Sequence, residues 1–287
     1  MRDNTPDPVN DPPRAARPRR VYFFSTCLVD LMAPQAGVDA IELIRAAGVE
    51  VEFPQAQSCC GQPAYTSGYT DDARRVAAAQ LDLFPEPWPI VVPSGSCAGM
   101  MVHHWPRLFE GDAARADKAA RIRARVVEFS EFAVRVLGLT ETALAGQRQG
   151  PCLHEAPVTT PVKVALHTSC SARREMGSHM PGRALLQALP GVELVDLARE
   201  AECCGFGGTF CARHPAISGA MVNDKLESVR EAGAEVLVSA DCGCLLNIYH
   251  AAEKQGGRAA GQPRMLHLGS FLRERMGASD AAEQVTD

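Results

Sequence analysis

The chain repeats one cysteine pattern twice, and that duplication restricts its fold more than any other feature. The first copy reads Cys27-x31-Cys59-Cys60-x36-Cys97 and the second Cys170-x32-Cys203-Cys204-x39-Cys244, with Gly61 and Gly205 directly after the doublets. Similar intervals on both sides of the same doublet mark an internal repeat. Across 287 residues it predicts two units of ordinary domain size, each with its own cysteine set.

Hydrophobic patterning places the cysteines on an α/β frame. Val21–Ser25 predicts a strand, Val38–Ala47 a helix stopped by Gly48, and Val49–Phe53 a second strand. After the doublet, Thr70 can cap a helix carrying Asp71 and Asp72 in its first turn, and Ile90–Val92 predicts a third strand. The second half repeats this order. Val164–His167 predicts a strand, Arg183–Leu189 a helix and Val192–Leu197 a strand; a helix with Val222, Leu226 and Val229 on one face follows, and then the strand Glu235–Ser239. Alternating strands and helices predict an α/β class, with two tandem pseudo-symmetric units, each a small parallel sheet flanked by helices. The boundaries expected are a disordered tail over 1–18, a first unit over 19–137, a linker over 138–161, a second unit over 162–276 and a C-terminal tail over 277–287. In such sheets ligands bind beyond the carboxyl ends of the strands, where all of these cysteines fall.

Composition excludes several functions. A net charge of -5 leaves no basic excess for neutralising phosphates, which argues against nucleic acid and anionic membranes as partners. No apolar run reaches the ~18 residues of a membrane span. Arg19-Arg20 before Val21–Phe24 has the look of a twin-arginine export signal, but its counterpart at Val162–Cys170 lies deep inside the chain, so the segment is expected to be a strand. Eleven cysteines, an odd number, without a convincing secretory signal point to a reducing, cytoplasmic setting in which thiols serve metals or redox chemistry.

Adjacent cysteines make a poor disulfide, because Cα atoms across a trans peptide are ~3.8 Å apart, below the usual bridging range. Two sulfurs reaching different metal ions explain a doublet better, and the glycine after it permits a sharp turn. Thiolates select iron-sulfur, zinc or copper, and four per unit match the requirement of a [4Fe-4S] cluster. The alternatives are cysteines buried as small hydrophobes, regulatory thiols, and a structural zinc in each unit, although the CxxC knuckles typical of zinc are missing.

Thr26-Cys27, Gln57-Ser-Cys-Cys-Gly-Gln-Pro-Ala64, Pro93-Ser-Gly-Ser-Cys97, His167-Thr-Ser-Cys170, Cys203-Cys-Gly-Phe-Gly-Gly-Thr-Phe210 and Cys244-Leu-Leu-Asn-Ile248 resemble the CCG cysteine-rich domain family of iron-sulfur oxidoreductases, and within it the lactate utilization proteins. The resemblance runs from Val21 to about Met276. It implies an oxidoreductase subunit that carries electrons through [4Fe-4S] clusters, one or two per chain, held by Cys27, Cys59, Cys60, Cys97, Cys170, Cys203, Cys204 and Cys244, with Cys242 as a further candidate. The implied reaction is oxidation of a small 2-hydroxy acid, L-lactate to pyruvate, beside a second iron-sulfur subunit and a third small subunit. Two related readings come with the family: thiol/disulfide chemistry as in the catalytic subunit of heterodisulfide reductase, and the iron-sulfur subunits of glycolate oxidase and anaerobic glycerol-3-phosphate dehydrogenase. In heterodisulfide reductase the full motif ends in CxxC. Here Cys97-Ala-Gly-Met100 keeps the first position and Asp241-Cys-Gly-Cys244 only the last, which favours four-thiolate clusters.

No residue receives a catalytic role from the sequence. His167 could donate a hydrogen bond to a cluster sulfur or be a satisfied strand-end histidine. Arg173-Arg174 could attract a carboxylate or mark a solvated face. His103-His104 are expected at a surface or interface, and Cys152 and Cys211 as spare thiols. Gly205-Phe-Gly-Gly208 is neither a P-loop nor GxGxxG, so no nucleotide site is expected.

Overall fold

A computed structural model of the protein describes residues 16–140 and 161–276. Cys152, nearly all of both expected tails and most of the expected linker lie outside the described residues. The first sheet contains β1 (Arg20–Phe23), β2 (Glu50–Glu52), β3 (Ile90–Val92) and β4 (Val126–Glu128) in the order β2-β1-β3-β4. The second contains β5 (Val162–Leu166), β6 (Val192–Val195), β7 (Val236–Ser239) and β8 (Arg264–His267) in the corresponding order β6-β5-β7-β8. All pairings are parallel, with Val21 opposite Val51 and Val164 opposite Leu194, for example. Parallel sheets are covered on both faces, and the central strands read accordingly: Ile90–Val92 and Val236–Ser239 are buried throughout.

The tandem α/β architecture predicted by the repeat is therefore present. Two edge strands, β4 and β8, were not predicted. They are short, and Val126-Val127-Glu128 and Arg264-Met-Leu-His267 lack the uninterrupted apolar run of the central strands. Thr70 is the first residue of the helix Thr70–Gln80 rather than its cap; Tyr69 precedes it and makes no side-chain capping bond.

In each sheet the strand order reverses between the first and third strands of the unit, β1/β3 and β5/β7, and such switch points are where open α/β sheets bind ligands, beyond the carboxyl ends of the strands. The two halves share their largest apolar cluster. It runs from Val21, Phe23, Leu43 and Ile44 through Phe129 and Phe132 to Val164, Leu186, Val238 and Phe271. The helix Leu268–Met276 of the second half packs on the helix Pro34–Ala46 of the first, and the segment Gly95–Gly99 packs on Ala172–Met176. Gly95 makes the second contact possible, since a Cβ there would lie 2.6 Å from that of Ala172. Among the described residues no helix is long and apolar enough to cross a membrane.

Candidate metal centre

Each cysteine follows a strand. Cys27 opens the helix after β1, Cys59 and Cys60 end the loop after β2, and Cys97 lies in the first turn of the helix after β3; Cys170, Cys203, Cys204 and Cys244 repeat these places after β5, β6 and β7. Gly61 and Gly205 have φ of 88° and 82°, the left-handed conformation that the turn after each doublet requires. Their N–H groups donate to Cys59 Sγ at 3.3 Å and Cys203 Sγ at 3.4 Å. Carbonyls of the buried doublet cysteines are fixed by side chains: Trp105 Nε1 donates to Cys60 O at 2.9 Å and Asn247 Nδ2 to Cys204 O at 2.8 Å.

The two helix caps after β3 and β7 meet. Ser94 caps Gly95–Gly99 by accepting from Cys97 N, and Asp241 precedes Cys242–Lys254. Asp241 Oδ1 accepts from Ser94 Oγ at 2.8 Å and from Ser96 N at 3.0 Å. Cys97 thus stands three residues after its cap, as Cys244 does after Asp241. This corrects the sequence register: Cys97 corresponds to the last position of the CxxC turn, with Ser94 at the first.

Both cysteine sets open on one pocket of about 210 Å³ between the halves, and every cysteine among the described residues except Cys211 lines it. Cys211 instead turns toward Gly208 O. Sulfurs within a set touch in series. Cys27 hydrogen-bonds to Cys59, and Cys59 to Cys60. Cys60 Sγ then lies 3.3 Å from Cys97 Sγ. In the second half the series is Cys170, Cys203, Cys204, Cys244. Neighbouring S–H groups and the glycine N–H stabilise one thiolate per half. The Cys27 hydrogen bond leads in pulling Cys59 down to about 3, and that of Cys170 in pulling Cys203 down to about 2. Cys27, Cys60, Cys170 and Cys204 are pushed up, because each shares its proton with a neighbouring thiolate. Cys244 is held down to about 7, first by its hydrogen bond with Cys204. Cys242 packs against Val29 and Ala36 of the first half, and burial pushes its thiol up to about 11.

Several features of the pocket fit a cation-bearing group held by thiolates. His167 is buried, and one of its ring nitrogens lies within 4.8 Å of the sulfurs of Cys204 and Cys244, where it interacts with the Cys244 sulfur and helps to hold that thiol down. Asp241 Oδ2 is buried on the same wall and has no partner among the described residues. A buried histidine and an orphaned carboxylate oxygen beside a ring of soft donors fit such a group.

The other expected residues are occupied. Arg173 donates to Thr168 Oγ1 at 3.0 Å and pairs with Glu200 at 2.6 Å, so it is not free for a carboxylate, whereas Arg174 stays exposed and acts on Cys170. His103 and His104 sit at the junction of the halves, where they contact Glu175 O and Glu175 Oε1, each at 3.1 Å.

Fold and site together define a class, a tandem α/β protein with two cysteine sets facing one inter-unit pocket. The profile of the CCG cysteine-rich domain matches residues 21–102 and 164–249, and the chain belongs to that family. It is similar to lactate utilization protein A of Bacillus subtilis (strain 168), with 39% identity over 256 residues covering 89% of this chain and 100% of that protein. Lactate utilization protein A 1 of Bacillus mycoides (strain KBAB4) is 40% identical over 83% of this chain and 91% of its own length. The protein of that name from Geobacillus thermodenitrificans (strain NG80-2) is 38% identical over 89% and 99%. A crystal structure of a hypothetical protein from Helicobacter pylori shares the fold, with a TM-score of 0.60 over 94% of this chain and 51% of that one at 11% identity.

Proposed function

We propose that this chain is the iron-sulfur redox subunit of a system that oxidises L-lactate to pyruvate, a reaction that releases two electrons and two protons. The observation that carries the reading is the convergence of Cys27, Cys59, Cys60 and Cys97 with Cys170, Cys203, Cys204 and Cys244 on one pocket. Each set of four would hold one cluster, of the [4Fe-4S] type by its thiolate count. Bound there, such a cluster would supply one-electron redox chemistry. All eight cysteines would hold the clusters as thiolates, so that binding would release their protons. Gly61 and Gly205 N–H groups would continue to donate to the outer sulfurs.

Among the described residues no lysine or arginine lines the pocket, so a substrate carboxylate finds no charge partner in it. That supports an electron-carrying role over a dehydrogenating one, with the substrate held by a partner. The partners proposed are a second iron-sulfur subunit and a third small subunit, as the lactate utilization resemblance implies. Anaerobic purification followed by iron and sulfide analysis and paramagnetic resonance tests the cofactor; colourless protein with stoichiometric zinc would overturn it. The substrate is tested by reconstituting the chain with its partners, where lactate and not glycolate should reduce an artificial acceptor. Preference for glycolate would move the chain to the glycolate oxidase branch of the family.

A further inference from the structure

The pseudo-symmetry can be followed past the doublets, and it breaks at one buried position. Gly61 lies against the backbone of Ala73, and Gly205 in the same way against that of Ser218, which aligns the helices Thr70–Gln80 and Pro215–Glu231. Seven residues farther along stand Gln80 and Lys225, with relative exposures of 1% and 0%. Both tether the segment leading into a doublet. Gln80 Oε1 accepts from Ser58 N and its Nε2 donates to Ser58 Oγ, each at 2.9 Å. Lys225 Nζ donates to Arg199 O, and to Glu200 O at 3.3 Å.

The tethers differ in charge. Among the described residues no carboxylate lies in ion-pair range of Lys225: Glu200 pairs with Arg173, while Glu202 and Asp224 lie nearest Arg199. An unpaired buried ammonium costs stability, and a neutral amide performs the same tethering in the first half. Tethering alone therefore does not account for the lysine. Lys225 stands on the helix whose Val222, Leu226 and Val229 pack in one apolar cluster with Cys204, and its charge interacts with Glu202 and then with Cys204.

We infer that Lys225 is an electrostatic tuning residue, whose buried positive charge gives the centre held by Cys170, Cys203, Cys204 and Cys244 a higher reduction potential than the centre held by Cys27, Cys59, Cys60 and Cys97. A nearby positive charge stabilises the more negative, reduced form of a centre, and low-polarity surroundings screen it weakly. An electron on the first centre would pass to the second, oxidising one and reducing the other, with no proton required. The inference rests on the proposed reading of the site as a pair of iron-sulfur centres.

Redox titration of the full chain, purified anaerobically with its clusters and followed by paramagnetic resonance, tests it. Cys60→Ser, which strips the first centre, identifies the signal of the second. Lys225→Gln is expected to lower the equilibrium constant for reduction of the second centre about tenfold, about 59 mV for a one-electron couple, and to leave the first unchanged. Lys225→Arg should hold the potential near its original value. Gln80→Lys should raise the first centre, which keeps the test open should Lys225→Gln fold poorly. His167 and Asp241 are common to all these variants, so the differences isolate Lys225. Two resolved centres whose separation is unmoved by Lys225→Gln and Gln80→Lys would overturn the inference alone. Iron-free protein would overturn the reading of the site and the inference with it.

Discussion

The two sulfurs of each doublet occupy different surroundings. Cys59 and Cys203 are half-exposed and carry the stabilised thiolate, whereas Cys60 and Cys204 are buried and bridge to Cys97 and Cys244. Replacing Cys203 or Cys204 by serine should remove one centre's spectrum and iron while the far-ultraviolet dichroism stays near native; Cys211→Ser should change neither. Unchanged iron in both doublet variants would refute their assignment as ligands. Glu128 is a residue that sequence reading passed over. It is fully buried at the end of β4, and burial raises its pKa from 4.5 to about 8 despite hydrogen bonds from Ser130 N and Oγ. Between those values the folded protein holds a proton that the unfolded chain has lost. The Glu128 contribution to stability is thus complete below pH 4.5 and is lost as pH rises through about 8. The loss proceeds at up to about 1.36 kcal/mol per pH unit. Glu128→Gln should flatten this decline when urea midpoints are measured across the range; an unaltered slope would contradict it.

At the scale of elements, the positions of the loops depend on a few buried hydrogen bonds. Trp105, on the helix Trp105–Leu108, and Asn247, on the helix Cys242–Lys254, each hold the carbonyl of a doublet cysteine. Trp105→Phe or Asn247→Ala leaves that carbonyl without its donor, at a cost of about 1–3 kcal/mol in urea unfolding. In protein purified with the proposed clusters, the nearby one should become more labile to oxygen, which iron release over time would report. Central strands were legible because an apolar run such as Ile90–Val92 has few other uses in an α/β chain. Of the edge strands, β2 and β6 were legible too, whereas β4 and β8 were not, because their pairing is decided by β3 and β7 rather than by their own residues. Ser94 and Asp241 stood out in the sequence only as members of the Pro93–Cys97 and Asp241–Cys244 motifs, and nothing there foretold the mutual hydrogen bond that joins positions far apart in the chain.

At the scale of the whole molecule, the halves share one core and one pocket. Leu268–Met276 completes the packing of Pro34–Ala46, and Arg273 there pairs with Asp39 and Glu42 of the first half. Expressed alone, residues 16–140 or 161–276 would expose the apolar faces that join Phe23, Phe129 and Phe271. Neither fragment should melt cooperatively by calorimetry, while the full chain should give one transition. Two independent transitions at unchanged temperatures would show that the shared cluster contributes little.

The sequence by itself determined the duplication, the α/β class and the placement of eight cysteines after strands. Those follow from local periodicity and from spacings that are fixed along the chain. Only the tertiary structure decided that both sets face the same pocket, that Arg173 is occupied while His167 is set against the sulfurs of Cys204 and Cys244, and that Lys225 stands where the other half has Gln80. Burial, pairing and pseudo-symmetric equivalence are relations between residues distant in the chain, and they arise only when each unit folds and, for the shared pocket, when the two halves close on each other.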